Sequence, residues 1–272
     1  MIEAFQFEFM RNALLAGILT SIACGIIGTL VVVNRIVFIS GGIAHAAYGG
    51  IGLAFYFRFP PLLGAAGFSL AVSSIMAAVT IRNKQRADTV IGVLWAIGMA
   101  LGIMLIDLTP GYSGDLMSYL FGSILAVPRT DLLLMALIDA AVVAVVLSFY
   151  NSFLAMSFDE EYASAMGVHV GVLYFVLLAM IALSVVMLIR VVGLILVIAL
   201  LTIPPFIAER FCGSLKTMMI FSVVLNSLCT LIGLWLSYEF NLTSGATIIM
   251  VAALFFFVSF VVEYAKPFVM RK

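Results

Sequence analysis

The stretch 40–52, SGGIAHAAYGGIG, sets His45, one of two histidines in the chain, inside an apolar run of membrane length. On a helix, residues four apart share a face, so Gly41, His45 and Gly49 form one stripe and Gly42, Ala46 and Gly50 the next. Such stripes are nearly flat and let a second helix come close, as small-xxx-small patterns do in membranes. Only the imidazole protrudes. An ionisable group at that depth is costly in hydrocarbon, so it should face a partner helix or a water-filled path. Two chemistries fit: a hydrogen bond to a neighbouring carbonyl, or a neutral imidazole acting as ligand on the route of a small cation.

Acids offer the complementary chemistry. Asp139 falls near the middle of the apolar run 131–150, so it should face the interior and find a partner, and it is the second candidate metal contact beside His45. Asp107 and Asp131 sit at span ends, where solvation is easy, and Tyr48 lies one turn beyond His45 as a possible polar neighbour in the same lumen. The fifteen methionines are scattered and read as packing residues.

Outside the apolar runs, the polar connection 151–170, NSFLAMSFDEEYASAMGVHV, carries the other candidate site. Asp159, Glu160 and Glu161 open a short helical stretch whose first turn favours acids; Ala163 and Met166 follow, and Gly167 can end it. The segment is either a solvated turn or a short helix lying along the membrane and docking into a groove of a cytoplasmic partner. His169 is expected to be an interfacial side chain. In 193–211, GLILVIALLTIPPFIAERF, Pro204 and Pro205 predict a kink suited to a gate, or else a helix end.

These groups must be positioned by membrane helices. The chain is 65% hydrophobic and 10% charged, with mean hydropathy +1.29, against about 25% charged residues in ordinary globular domains. The fold class expected is all-α, a polytopic integral membrane protein with about eight or nine transmembrane helices. The apolar runs are 13–33, 36–57, 61–81, 89–107, 131–150, 171–189, 191–208, 215–236 and 244–264, and residues 116–127, too short to cross, suggest a re-entrant or interfacial helix. No room is left for a separate soluble domain. The start carries two acids before its first base, unlike a signal peptide, so the first span is expected to stay as an anchor.

Basic residues set the orientation. With the loop 82–88 inside, the cytoplasmic side receives Arg35, Arg82, Lys84, Arg86, Arg210, Lys216, Lys266, Arg271 and Lys272, leaving Arg11, Arg58, Arg129 and Arg190 outside. The C-terminus and the 151–170 connection then lie in the cytoplasm. A net charge of zero argues against a nucleic-acid partner, and Cys24, Cys212 and Cys229 form no CxxC pair. No GxxxxGK[ST] phosphate loop occurs, so the chain has no conventional ATP site and is not expected to be an enzyme.

Four segments together carry a resemblance. ISGGIAHAAYGGIGLA resembles the second-span signature of ABC-type permeases for zinc, manganese and iron, FDEEYASAMGVHV their cytoplasmic coupling helix, YLFGSILAV their short segment before the fifth span, and VGLILVIALLTIPPFIAERF their late proline-containing span. The resemblance implies a single transmembrane permease domain over 1–272, with a coupling segment at 158–169, that pairs as a homodimer in the lipid of the cell membrane. It implies a cytoplasmic ATPase subunit that binds ATP and docks on Asp159, Glu160, Glu161, Ala163 and Gly167, and an extracytoplasmic solute-binding protein that delivers the metal. Transport would proceed by alternating access past His45.

The match has one departure. The family signature has an aspartate four residues before the histidine, and that position here is Gly41. Imidazole suits zinc and iron, whereas carboxylate oxygen suits manganese better, so zinc is expected first and iron or manganese next. Asp139 is the residue that could replace the missing acid from another span. Two rivals remain open at this point: an ABC permease for a metal chelate or corrinoid, and a secondary transporter with Asp139 and His45 as a proton relay.

Overall fold

A computed structural model of the chain describes residues 7–82, 87–109, 122 and 124–269. Among these residues there is no strand, and the helices are α1 (Glu8–Val33), α2 (Val37–Phe57), α3 (Pro61–Arg82), α4 (Ala87–Asp107), α5 (Arg129–Ser148), α6 (Tyr150–Phe158), α7 (Glu160–Ala165), α8 (Val170–Val192), α9 (Leu194–Phe211), α10 (Leu215–Phe240) and α11 (Ser244–Val269). Eight of them are long and apolar enough to cross a membrane. The protein is a polytopic all-α membrane protein, as its composition predicts. The ninth apolar run is α9, whose 18 residues reach about 27 Å.

Helix α1 is the centre. It is lined by α9, α10 and α5, while α2 forms a second nucleus with α3 and α4, and α8 bridges the two by packing on α3 and α2 on one side and on α9, α1 and α5 on the other. The α2–α4 seam follows from its small residues. A Cβ on Gly98 would lie 2.7 Å from the Cα of Ala46, and one on Gly102 would run into the carbonyl of Tyr48, so the two backbones touch and only glycine fits α4 there.

Two connections differ from the expectation. The runs 171–189 and 191–208 abut at a single residue, Gly193, with φ 80° and ψ 162°, a conformation open essentially to glycine alone. Against it packs Gly122, itself at φ 62° and without room for a side chain beside the Gly193 backbone. The short apolar segment 116–127 falls mostly outside the described residues; its described end is a 3₁₀ turn over Ile124–Ala126, with Ile124 buried and the Val127 carbonyl accepting a hydrogen bond from Asn12 Nδ2 at 3.2 Å. The connection 151–170 contains an additional helix, α6, held by buried Phe153 and Met156 and by Asn34 Nδ2 donating to Ser157 Oγ at 3.0 Å.

The two prolines lie inside α9, which continues past them to Phe211, so they do not end the helix. Pro205 removes the donor that the Leu201 carbonyl would otherwise receive. That carbonyl packs against α1 at Gly28, where a Cβ would sit 2.5 Å from it. Just beyond, Arg210 ties α9 to α11: its guanidinium lies 3.6 Å from the Phe260 ring centroid and donates to Glu263 Oε2 at 2.6 Å.

Candidate functional site

His45 projects from α2 half-buried, with its ring stacked on Trp95 of α4 at 4.0 Å between centroids and 12° between planes. The close α2–α4 seam just beyond, where Gly98 meets Ala46 and Gly102 meets Tyr48, holds that stack in register. Such an aromatic pair contributes about 0.5–1.5 kcal/mol beyond its burial and fixes the ring's orientation. Trp95 is fixed in turn by its Nε1 on Met99 Sδ at 3.1 Å and by Phe38 at 5.9 Å. His45 Nδ1 is buried and has no hydrogen-bond partner among the described residues. Leaving a polar atom in that condition costs about 1–3 kcal/mol, a cost a visiting ligand relieves. Tyr48 is buried within the helix seam, so it does not open to the same surface as His45.

Gly41, one turn before His45, faces α9. A Cβ there would meet only Ile198 Cδ1 at 3.5 Å, an ordinary van der Waals contact, so the backbone leaves space for a side chain and Ile198 stands where its head group would reach. Among the described residues no three His, Cys, Asp or Glu side chains come together as a metal-holding group. The imidazole of His45 is therefore not part of a preformed multi-ligand group among the described residues.

Asp139 is placed elsewhere. It is 7% exposed on α5 and lines a cavity of about 10 Å³ with Leu19 and Ala23 of α1 and with Ser184, Met187 and Leu188 of α8. Its Oδ2 and Ser184 Oγ are both buried without partners, and a space of that size is at the lower limit for one water. Asp139 thus lies among α1, α5 and α8, whereas the ring of His45 stacks on α4. Asp131, expected to be solvated, is likewise buried at 7% exposure in the first turn of α5, whereas Asp107 is exposed as expected.

At the far end of the bundle Asp159 caps α7, its Oδ1 accepting from the backbone N–H of Glu161 at 2.9 Å and of Tyr162 at 3.0 Å. Gly167 follows the helix at φ 84°. Ala163 is fully buried and anchors α7 to the body. Exposed instead are Glu160, Glu161, Tyr162 at 58% and Met166 at 66%, with Phe158 beside them. Of the apolar members of that surface Met166 is named in the sequence reading, whereas Phe158 and Tyr162 are not; Phe158 ends α6 and Asp159 is extended, so no single helical repeat links them. Below α7 a cleft of about 620 Å³ brings together Glu160 and Glu161, Arg35 of the α1–α2 turn, Thr80 of α3 and Asp88 of α4, so this segment adjoins every element that carries the His45 seam. The opposite end holds the Arg129–Glu8 ion pair at 2.8 Å. His169, at the start of α8, is exposed.

Comparison with known proteins adds the following. The model of the family described as ABC 3 transport family matches residues 6–263. An uncharacterized membrane protein of Synechocystis sp. is 54% identical, over 95% of this chain and 92% of its own. The manganese transport system membrane protein MntC of Listeria monocytogenes is 32% identical, over 94% of this chain and 91% of its own. The solved structure of PsaBC from Streptococcus pneumoniae in complex with Fab has a TM-score of 0.85 and 33% sequence identity, over 95% of this chain and 94% of that one.

Proposed function

The chain belongs to the ABC 3 transport family, and from that premise we propose that His45 is the point at which a divalent transition-metal ion touches the membrane subunit during import. The protein is the permease of a metal-ion ABC transporter. The observation that carries the role of His45 is its unpartnered Nδ1, on a half-buried ring whose orientation Trp95 fixes. Two such chains related by symmetry would present two imidazoles on one path, a weak way station from which the ion can leave.

The cargo is read from ligand chemistry. An imidazole without the carboxylate at Gly41 favours zinc or iron, and manganese is supported by the name of the Listeria relative. A separate cytoplasmic ATPase supplies the energy and engages the exposed surface of α7, with Tyr162 and Met166 as its apolar anchors and Ala163 holding the helix to the bundle. A solute-binding protein loads the opposite end, and the C-terminus lies in the cytoplasm. Asp139 stays off the route in this reading.

The test is uptake of zinc, manganese, iron(II), cobalt and nickel by vesicles carrying the chain with its ATPase and binding protein. Uptake of a free ion only with ATP supports the proposal and identifies the cargo; uptake driven by a proton gradient without ATP rejects it. For the coupling surface, Tyr162→Asp combined with Met166→Asp should release the ATPase from the membrane fraction while the permease itself stays folded, and retained association would remove that surface.

A further inference from the structure

Helices α5 and α10 both pack along α1 but make no substantial contact with each other. Between them runs an open slot of about 920 Å³ whose floor is α1. The floor is set by close packing at one point, where Gly25 lets the backbone of Val223 come against α1, and by the partly buried Ile22 and Ile26. The walls, including Val143 of α5 and Val224 of α10, are apolar.

The slot is polar at one end only. There Lys216, Ser148, Tyr150 and Asn151 line its mouth, and no carboxylate lines the slot anywhere. Lys216 is exposed and has no ion pair among the described residues. From Lys216 to Val224 along α10 is about 12 Å at the helical rise. Half of a hydrocarbon core of about 30 Å is about 15 Å, so the slot has the depth of a single leaflet.

We propose that the slot between α5 and α10 is a binding site for one anionic phospholipid of the cytoplasmic leaflet, its phosphate on Lys216 and its acyl chains along α1. The cation and the neutral donors sit at head-group level and the hydrocarbon walls at chain level, which is the layout of a phospholipid standing in its own leaflet. A second protein helix would need no cation at one end of an otherwise apolar slot. An uncharged lipid would fill the walls but leave Lys216 without a counter-charge.

The proposal does not depend on the cargo, and its test reads lipid and not metal. The purified full-length chain is stripped of lipid in detergent and titrated with phosphatidylglycerol and phosphatidylcholine of identical acyl chains, with bound lipid counted by native mass spectrometry. One phosphatidylglycerol per chain should be retained in preference to phosphatidylcholine by about fivefold, the scale of one basic residue facing an anionic head group. Lys216→Gln should abolish the preference, and Val224→Trp, which fills the slot from an exposed position, should displace both lipids. Equal retention of the two lipids by the unaltered chain, or a preference unchanged in Lys216→Gln, overturns the site. So does disulfide-linked dimer formation by Ile220→Cys in native membranes, which would show the slot covered by a second chain.

Discussion

His45 and Asp139 are both ionisable side chains near the middle of apolar spans, yet the fold treats them oppositely. His45 is half-buried, stacked on one aromatic face, and held beside a seam so tight that α4 needs glycine at positions 98 and 102. Asp139 is closed in by α1, α5 and α8, with Ser184 lining the same cavity and space for at most a single water. Rarity in the membrane marks a residue as important; only access separates a group that meets cargo from one that serves the interior.

The sharpest way to break that contrast is His45→Ala. Loss of even an outer partner of a metal site costs about 10–100-fold in affinity, so removal of the proposed contact itself should lower ATP-dependent uptake by at least about tenfold. Membrane expression and association with the ATPase should be unchanged. Uptake at the original rate would leave His45 as a packing residue and erase the distinction from Asp139.

The seam comes second. Gly102→Ala places a methyl against the backbone of Tyr48 and should destabilise the protein by about 1–3 kcal/mol, read as a lower midpoint of thermal unfolding in detergent. Gly92→Ala, on the same helix with nothing within 4 Å of the new atom, should instead be neutral or stabilising by up to about 1 kcal/mol. Equal effects of the two would mean that the close approach of α2 and α4 does not set the His45 geometry.

Much of this contrast was legible in the sequence, and the illegible part has physical reasons. The small-residue stripes announce the seam because closeness of helices is a property of side-chain size, and the segment DEEYASAMG announces a capped short helix because capping is local. The depth of Asp139 was likewise plain from its place in an apolar run. Its separation from His45 was not, since which face of α5 meets which neighbour depends on α1 and α8, far away in the chain. Ala163 reads in the sequence as part of a docking segment, and its burial against the bundle was not legible, because which side of so short a helix faces inward depends on residues far away in the chain. The break at Gly193 and the continuation of α9 through Pro204 and Pro205 turn on tertiary partners, Gly122 and Gly28, that no local rule supplies.

Gly41→Asp sharpens the comparison by giving His45 the carboxylate it lacks. The Cβ fits at 3.5 Å from Ile198 Cδ1, so only the head group must find room, by displacing the flexible end of that isoleucine. Adding a hard oxygen ligand beside the imidazole should shift uptake severalfold toward manganese relative to zinc, measured as the ratio of the two rates at matched protein. An unchanged ratio would place the choice of metal outside α2.

The smallest effect is expected at Asp139. Asparagine keeps the shape and a carbonyl oxygen for the cavity, and nothing in a space of about 10 Å³ admits a metal ion with even part of its hydration shell. Asp139→Asn should therefore leave uptake within about twofold, the range of a substitution that touches no special feature of the transport route. Asp139→Leu should act differently: it fills the water-sized space with a branched side chain and removes the acid that lines it with Ser184, lowering thermal stability by about 1–3 kcal/mol while the uptake per folded molecule persists. Measured together, the two variants separate a structural acid from a conducting one. If Asp139→Asn instead stops transport at unchanged stability, then the small cavity must widen during the cycle, and Asp139 joins His45 on a route that runs through α1 and α8.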